Sequence, residues 1–201
     1  MPRQFTLIAC CVVCLLCASC AGSTSLGKPA DEALASYNAK LKQDPTHRER
    51  CVVDNIAVTL PAGWVEVPLA PGASSLAQHF YIHNERTLES GQFPFIRIFF
   101  YPPETAEVLF TDAERFDAFA EQHMLLYENA RLDFDAENRV IHHVYKCLMP
   151  EAGQPVFRCA TIIGSAGGVV EVQYTDVLAN LPKVNLYYID VEELMTSITR
   201  Q

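Results

Sequence analysis

Cysteine is the residue type in this chain whose positions most invite chemistry, because a thiol can be acylated, oxidised or used as a nucleophile. Five of the eight cysteines lie near the amino terminus, at positions 10, 11, 14, 17 and 20. The other three are Cys51, Cys147 and Cys159. The two groups need separate explanations, since the first belongs to an apolar segment and the second is spread over the rest of the chain.

The amino terminus has the pattern of a secretory signal peptide. Arg3 supplies a positive charge, an apolar run extends from Phe5 to Leu16, and small residues follow it. This run is shorter than the roughly 20 residues that span a bilayer, so we expect a cleaved leader over residues 1–19 and not a transmembrane helix. Cys20 would then be the first residue after the cleavage site and a candidate for lipid attachment.

Residues 16–20, with the sequence Leu-Cys-Ala-Ser-Cys, resemble the lipobox of bacterial lipoproteins. The resemblance implies that Cys20 carries a thioether-linked diacylglycerol, which anchors the chain to a membrane. Cys17 departs from the motif, since leucine is usual at its position. Ala21 stands where an aspartate commonly retains lipoproteins in the inner membrane, so the resemblance favours the periplasmic face of the outer membrane. The alternative is an ordinary secretory leader cut near Ala18 or Ala21.

The three cysteines outside the leader are an odd number, which in an oxidising compartment predicts one disulfide and one free thiol. If Met149 faces Phe157 across a hairpin, Cys147 faces Cys159 at a distance that suits a bridge. We therefore predict a Cys147–Cys159 disulfide. Pairing of Cys51 with either of these cysteines is left open.

The remaining motifs predict neither catalysis nor metal binding. Cys51 is a weak candidate nucleophile, supported only by basic neighbours such as His47. His79 and His83 would lie about 13 Å apart on one face of a strand, too far for one metal ion. The segment Gly164–Gly168 is predicted to be a hairpin turn, because a strand and not a helix follows it. We expect no catalytic residue, no metal and no cofactor.

The composition indicates a folded domain with an acidic surface. Hydrophobic residues make up 50% of the chain and charged residues 19%, which is enough for a packed core. The net charge of -9 argues against attraction to nucleic acid or anionic lipid. We expect the lipidated cysteine, a tether and a possible short helix over residues 20–50, and a single α+β domain over residues 51–201.

Hydrophobic periodicity predicts an antiparallel sheet of about six strands with helices packed on it, an α+β fold. Amphipathic helices are predicted over Asp31–Gln43, Thr111–Tyr127 and Asp190–Arg200. Strands are predicted over Ile56–Leu60, Gln78–His83, Phe93–Tyr101, Arg139–Leu148, Val156–Ile163 and Val169–Tyr174. The third of these strands is apolar on both sides except for Arg97, so we expect it at the centre of the sheet.

The segment Val58–Trp64, with the sequence VTLPAGW, and the order of the elements resemble the PsbP-like fold over roughly Val52 to Arg200. That fold includes an extrinsic subunit of the oxygen-evolving complex and DcrB-type bacterial lipoproteins. The resemblance implies a non-enzymatic scaffold that docks onto protein partners. Within the motif, we interpret Pro61 to Trp64 as a turn followed by a core anchor.

Together these patterns predict a lipid-anchored periplasmic binding or accessory protein without catalytic activity. Its expected partners are the membrane, through Cys20, and an unidentified envelope protein. One alternative is an immunity protein that occupies the cleft of a secreted toxin, which the small size and acidity fit. Another is an envelope hydrolase, which would need a pocket that gathers His123 or His142 with a cysteine or an aspartate.

Overall fold

The computed structural model describes residues 28–70, 72–87, 93–103, 131–135, 137–149, 154–179 and 191–201. Helix α1 precedes a series of strands, and a short helical segment, α2, precedes the last strand. The bounds in chain order are α1 Lys28–Gln43, β1 Arg50–Val53, β2 Ile56–Thr59, β3 Trp64–Glu66, β4 Ala77–His83, β5 Phe95–Tyr101, β6 Arg131–Asp135, β7 Val140–Met149, β8 Gln154–Gly164, β9 Val169–Val177, α2 residues 191–196 and β10 Thr199–Arg200.

The described strands form two antiparallel sheets. The smaller sheet has three strands in the order β1–β2–β10, and the larger has seven in the order β3–β4–β5–β9–β8–β7–β6. Strand β5 lies between β4 and β9, which confirms the central position predicted from its apolar sequence. The chain is therefore an α+β protein, as its periodicity predicts.

One face of the larger sheet, which we call the core face, packs against the smaller sheet and α2. Trp64, Ile98 and Val172 are almost fully buried there. They belong to one hydrophobic cluster with Val58 of the smaller sheet and Leu194 of α2. This cluster is the main core of the described part of the molecule.

The opposite face of the larger sheet, which we call the α1 face, carries the first helix. Phe80, Phe95 and Val156 form a second hydrophobic cluster there, and Ala30 of α1 packs into it. The register assigns polar residues to the same face, because Phe80 lies opposite Arg97 and Arg97 lies opposite Gln173. Side chains directly opposite one another in paired strands share a face.

Most of the elements predicted from periodicity are confirmed. All six predicted strands are present with small differences at their ends, and β1, β3, β6 and β10 are additional. The predicted helix Asp190–Arg200 is wrong at its end: the helical residues stop at 196, and Thr199 instead pairs with Ala57 of β2. The predicted helix Thr111–Tyr127 and the leader with Cys20 lie outside the described residues.

The hairpin register that supported the predicted disulfide is wrong. Met149 pairs with Gln154 instead of facing Phe157, which places Cys147 opposite Val156. Cys159 lies opposite Val144, three pairs away along the hairpin, and is a buried free thiol. Three residues along a strand span about 10 Å, beyond the separation that a disulfide tolerates. The sequence did not fix the register because the residues that link β7 and β8 contain no diagnostic two-residue turn.

Candidate binding groove

Helix α1 has the sequence features that start, orient and end a helix. Asp31 lies in its first turn and Lys40 in its last, so both charges complement the helix dipole. Pro45 disfavours helical geometry at the residue before it, and the helix ends at Gln43. Its weak apolar stripe left open whether it would lie on the domain; the structure places it there through buried Ala30 and Tyr37.

Tyr37 connects α1 to the turn that precedes β3. The Gly63 N–H donates a hydrogen bond to the Tyr37 hydroxyl oxygen at 2.9 Å. Gly63 has φ +84°, and an added Cβ would lie 2.9 Å from Nε2 of His83. Only glycine adopts this conformation without strain, so the turn fixes both the entry into β3 and the docking of α1.

Trp64 follows the turn and anchors β3 in the core. Its side chain is fully buried, and its ring meets those of His83 and Tyr174 edge-on, with centroids 5.5 Å and 5.9 Å away. The Arg86 guanidinium lies 5.6 Å from the centroid of the indole. These contacts confirm the interpretation of the Pro61–Trp64 segment as a turn plus a core anchor.

A groove of about 510 Å³ lies between α1 and the edge of the larger sheet, and we call it the α1–β3 groove. Tyr37, Glu32 and Ala33 form its helical wall. Five consecutive residues, 65–69, form much of the opposite wall. Of these, Val65 and Glu66 belong to β3. Successive side chains of a strand point to opposite faces, so a groove that both residues line reaches the edge of the strand.

The groove has more negative than positive side chains among the residues described. Its carboxylates are Glu32, Glu49 and Glu66, and its lysine is Lys40. Lys40 Nζ lies 2.7 Å from Glu49 Oε1, and His79 Nδ1 lies 2.7 Å from Glu66 Oε1. Lys40 is 47% exposed and Glu66 is 46% exposed, so each of these two contacts has one partner at the surface and contributes little to the free energy of folding.

The buried cysteines are in surroundings that suppress thiolate chemistry. Burial raises the pKa of Cys51 to about 11 and the pKa of Cys159 to about 12. A nucleophilic cysteine needs a lowered pKa and access to solvent. The structure therefore gives no support to Cys51 as a catalytic thiol.

The glycine-rich segment Gly164–Gly168 joins β8 to β9, as the hairpin interpretation predicted. Two of its N–H groups are already used by side chains of the β1–β2 turn. Gly167 N–H donates to Asp54 Oδ2 at 2.7 Å, and Ala166 N–H donates to Asn55 Oδ1 at 2.8 Å. These two N–H groups, which a phosphate loop would present to its ligand, instead bond to side chains of the β1–β2 turn.

His79 and His83, which the sequence analysis judged too far apart to share a metal ion, have different surroundings in the structure. His79 lines the α1–β3 groove, whereas His83 packs on Trp64, where burial and Arg86 lower its pKa to about 4. Over the residues described, no group of three or more histidine, cysteine or acidic side chains is placed to hold a metal ion. The same residues include no helix long and apolar enough to cross a membrane.

Sequence reasoning missed the groove because none of its residues forms a motif. Glu49 follows α1 after a short loop and Glu66 lies in β3, and in the sequence each resembles an ordinary solvated acid. The usable signal was the apolar stripe of α1 formed by Leu34, Tyr37 and Leu41, which indicates a helix docked against another element.

No protein-family model matches this sequence, and no curated protein matches it. A crystal structure of a protein from Bacteroides thetaiotaomicron VPI-5482 is similar with a TM-score of 0.47 at 11% identity; the match covers 76% of this chain and 48% of that one, so this chain spans about half of its length.

Two further solved structures show similarity of the same order. A point mutant of the protein Mog1 has a TM-score of 0.47 at 12% identity, with 77% of this chain and 96% of that chain covered. The solution structure of cyanobacterial PsbP (CyanoP) from Synechocystis sp. PCC 6803 has a TM-score of 0.45 at 12% identity, with 77% and 92% covered. A PsbP protein is thus among the structural neighbours, and similarity at this level does not by itself assign a family or a function.

Proposed function

We propose that this chain is a lipid-anchored, non-catalytic binding protein of the bacterial cell envelope. In this proposal Cys20 carries the lipid, the outer membrane is the favoured membrane, and the folded domain faces the periplasm. The observation that carries the proposal is the Leu-Cys-Ala-Ser-Cys segment at residues 16–20, placed directly after an apolar leader. Two acyl chains on one cysteine suffice for stable anchoring.

The distance between the anchor and the groove supports a binding role at the membrane surface. Eight residue steps separate Cys20 from Lys28, where α1 begins. A fully extended chain of that length spans at most about 29 Å. The α1–β3 groove, whose helical wall begins at Pro29, would therefore stay close to the bilayer. Tethering of this kind raises the effective concentration of the domain near membrane-associated partners.

The anchor is tested by the mass of the mature amino terminus in a bacterial host. We expect the diacylglyceryl modification on Cys20, accumulation of the uncleaved precursor with globomycin, and loss of both in Cys20→Ser. Cys17→Ser is the matched control, because it changes a neighbouring cysteine and should leave the modification intact. An unmodified amino terminus at or near Ala21 would refute the lipid anchor and support an ordinary secretory leader.

The binding role is tested by crosslinking in intact envelopes. We expect a crosslinker placed at Ser36, on the α1 wall of the groove, to capture a defined envelope protein. The control position is Glu192, an exposed residue of α2. Equal capture from both positions, or no defined product from Ser36, would contradict a binding role for the groove.

A further inference from the structure

Strand β3 forms the edge of the larger sheet and pairs only with β4 among the described strands. The Asn84 N–H donates to the Gly63 carbonyl at 2.8 Å, and the Val67 N–H donates to the Phe80 carbonyl at 2.9 Å. In an antiparallel ladder, alternate residues bond to the same neighbour. The backbone N–H and C=O of Glu66 therefore point away from β4, and within the described ranges no hydrogen bond reaches them.

Glu66 is at the open part of this edge. Its side chain is 46% exposed, and both it and its neighbour Val67 line the α1–β3 groove. The groove therefore presents an unpaired strand edge beside a helix. Adding a strand to such an edge is an established way for a protein to bind an extended peptide, with main-chain hydrogen bonds giving affinity and side-chain pockets giving specificity.

The charges of the groove indicate the class of peptide. Glu32, Glu49 and Glu66 line the groove with one lysine. Lys40 pairs with Glu49, His79 contacts Glu66, and the whole chain has a net charge of -9. An acidic segment would be repelled as it approached, whereas a basic segment would be attracted. The groove also contains apolar groups, among them Pro29 and Leu69, which suit the apolar side chains of an alternating sequence.

We propose that the α1–β3 groove binds an extended, positively charged peptide segment, which pairs with β3 through the backbone of Glu66. Basic side chains of the segment contact the groove carboxylates, and intervening apolar side chains pack against Pro29 on the helical wall and Leu69 on the opposite wall. The assignment rests on the proposed binding function and specifies the chemistry of its partner.

The test measures binding of a fluorescent peptide of alternating lysine and valine to the purified full chain at physiological ionic strength. We expect saturable binding, no binding of the matched glutamate–valine peptide, and at least about tenfold weaker binding when alternate amides of the lysine peptide are methylated. Equal binding of the methylated peptide would overturn strand pairing, and equal binding of the acidic peptide would overturn the charge assignment.

Variants of Glu66 separate the backbone contribution from the charge. Glu66→Pro removes the outward N–H at an edge position that tolerates proline, and Glu66→Gln removes only the charge. We expect about tenfold weaker binding for Glu66→Pro than for Glu66→Gln, and no change for Glu192→Gln, which removes an exposed carboxylate elsewhere. Equal affinities for the two Glu66 variants would overturn strand pairing. If Glu66→Pro does not fold, the methylated peptide decides the question.

A negative result in the peptide test can be distinguished from failure of the proposed envelope-binding function. Peptide binding is measured on the isolated chain, so it does not depend on lipid at Cys20 or on an envelope extract. A partner that is crosslinked from Ser36 equally in wild type and Glu66→Pro would keep the binding function and overturn the strand-pairing inference.

Discussion

Both faces of the seven-stranded sheet bury side chains along its described central strands, yet they differ in composition. The core face is mostly apolar, with Ile98 and Val172 almost fully enclosed, and its buried polar residues include Thr161 and Asp176. The α1 face is polar along β5 and β9, where Arg97, Glu171 and Gln173 are at most 8% exposed. Burial and apolar character are therefore separate properties in this protein, and the two faces must be stabilised in different ways.

The core face is stabilised by removal of apolar surface from water, at roughly 25 cal/mol per Å². The α1 face depends on satisfied polar groups, because a buried polar group without a partner costs about 1–3 kcal/mol. Glu171 accepts hydrogen bonds from the Tyr101 hydroxyl and from Nε2 of Gln173, both at 2.7 Å. Arg97 lies over the Phe95 ring, 4.7 Å from its centroid.

The largest effect is expected in the main hydrophobic cluster, at Trp64 of β3. Trp64→Ala should lower the free energy of unfolding by about 3–5 kcal/mol, because it opens a large cavity. Trp64→Phe should cost clearly less, since it keeps a ring and removes an Nε1 that is buried without a hydrogen-bond partner among the described residues. Urea denaturation measures both. A loss below about 1 kcal/mol for Trp64→Ala would mean that the core face is not the main source of stability.

A smaller loss of stability is expected on the α1 face, and it should depend on hydrogen bonding more than on side-chain volume. Glu171→Ala leaves the donors of Tyr101 and Gln173 without their acceptor and should cost about 2 kcal/mol. Glu171→Gln keeps an acceptor oxygen and should cost less than half as much. If the two variants are equally destabilised, the volume of the side chain and not its hydrogen bonds holds this face.

The contrast between the faces explains which parts of the fold the sequence could predict. Long apolar segments such as Phe95–Tyr101 are recognisable because many consecutive residues each indicate a buried strand. Strand β9 is harder, since its alternation of apolar and polar residues is typical of a strand with one solvated face, whereas the structure buries nearly all of it. Short strands such as β3 carry too few residues for any periodicity to be visible.

The β7–β8 register and the α1–β3 groove could not be predicted from a single sequence, for a related reason. The pairing of Cys147 with Val156 depends on a linking segment whose turn type is not encoded by a recognisable dipeptide. The groove depends on α1 returning to the edge of the sheet, where the Tyr37 hydroxyl meets Gly63. Both are contacts between distant segments, and hydrophobic periodicity reports only the local pattern.

A polar substitution on the core face tests whether the two faces differ as proposed. Cys159 is buried in the main apolar cluster. Cys159→Ser introduces a hydroxyl there and should lower the free energy of unfolding by about 1–2 kcal/mol, whereas Cys159→Ala should cost less. Calorimetry of the two variants measures the difference. Equal costs would indicate that the new hydroxyl finds a hydrogen-bond partner within the core face, as the Thr161 hydroxyl does with the Met195 sulfur.

The smallest expected effect is a change in the free energy of unfolding with pH, caused by the titration of Glu171. Burial raises its pKa above the ordinary value of 4.5, and the hydrogen bonds from Gln173 and Tyr101 and the charge of Arg158 oppose the shift only in part. Between the ordinary and the raised pKa, the folded state binds more protons than the unfolded state. The contribution of Glu171 to stability must therefore fall as the pH rises through that window and recover as the pH falls.

Glu171→Gln removes this titration and keeps the shape of the side chain. Urea denaturation of wild type and variant from pH 4 upward should show wild type losing stability relative to the variant as the pH rises. A slope of the opposite sign would mean that the hydrogen bonds from Gln173 and Tyr101, together with the charge of Arg158, stabilise the carboxylate by more than burial destabilises it. The stability of the α1 face would then depend on a buried carboxylate charge as well as on hydrogen bonding.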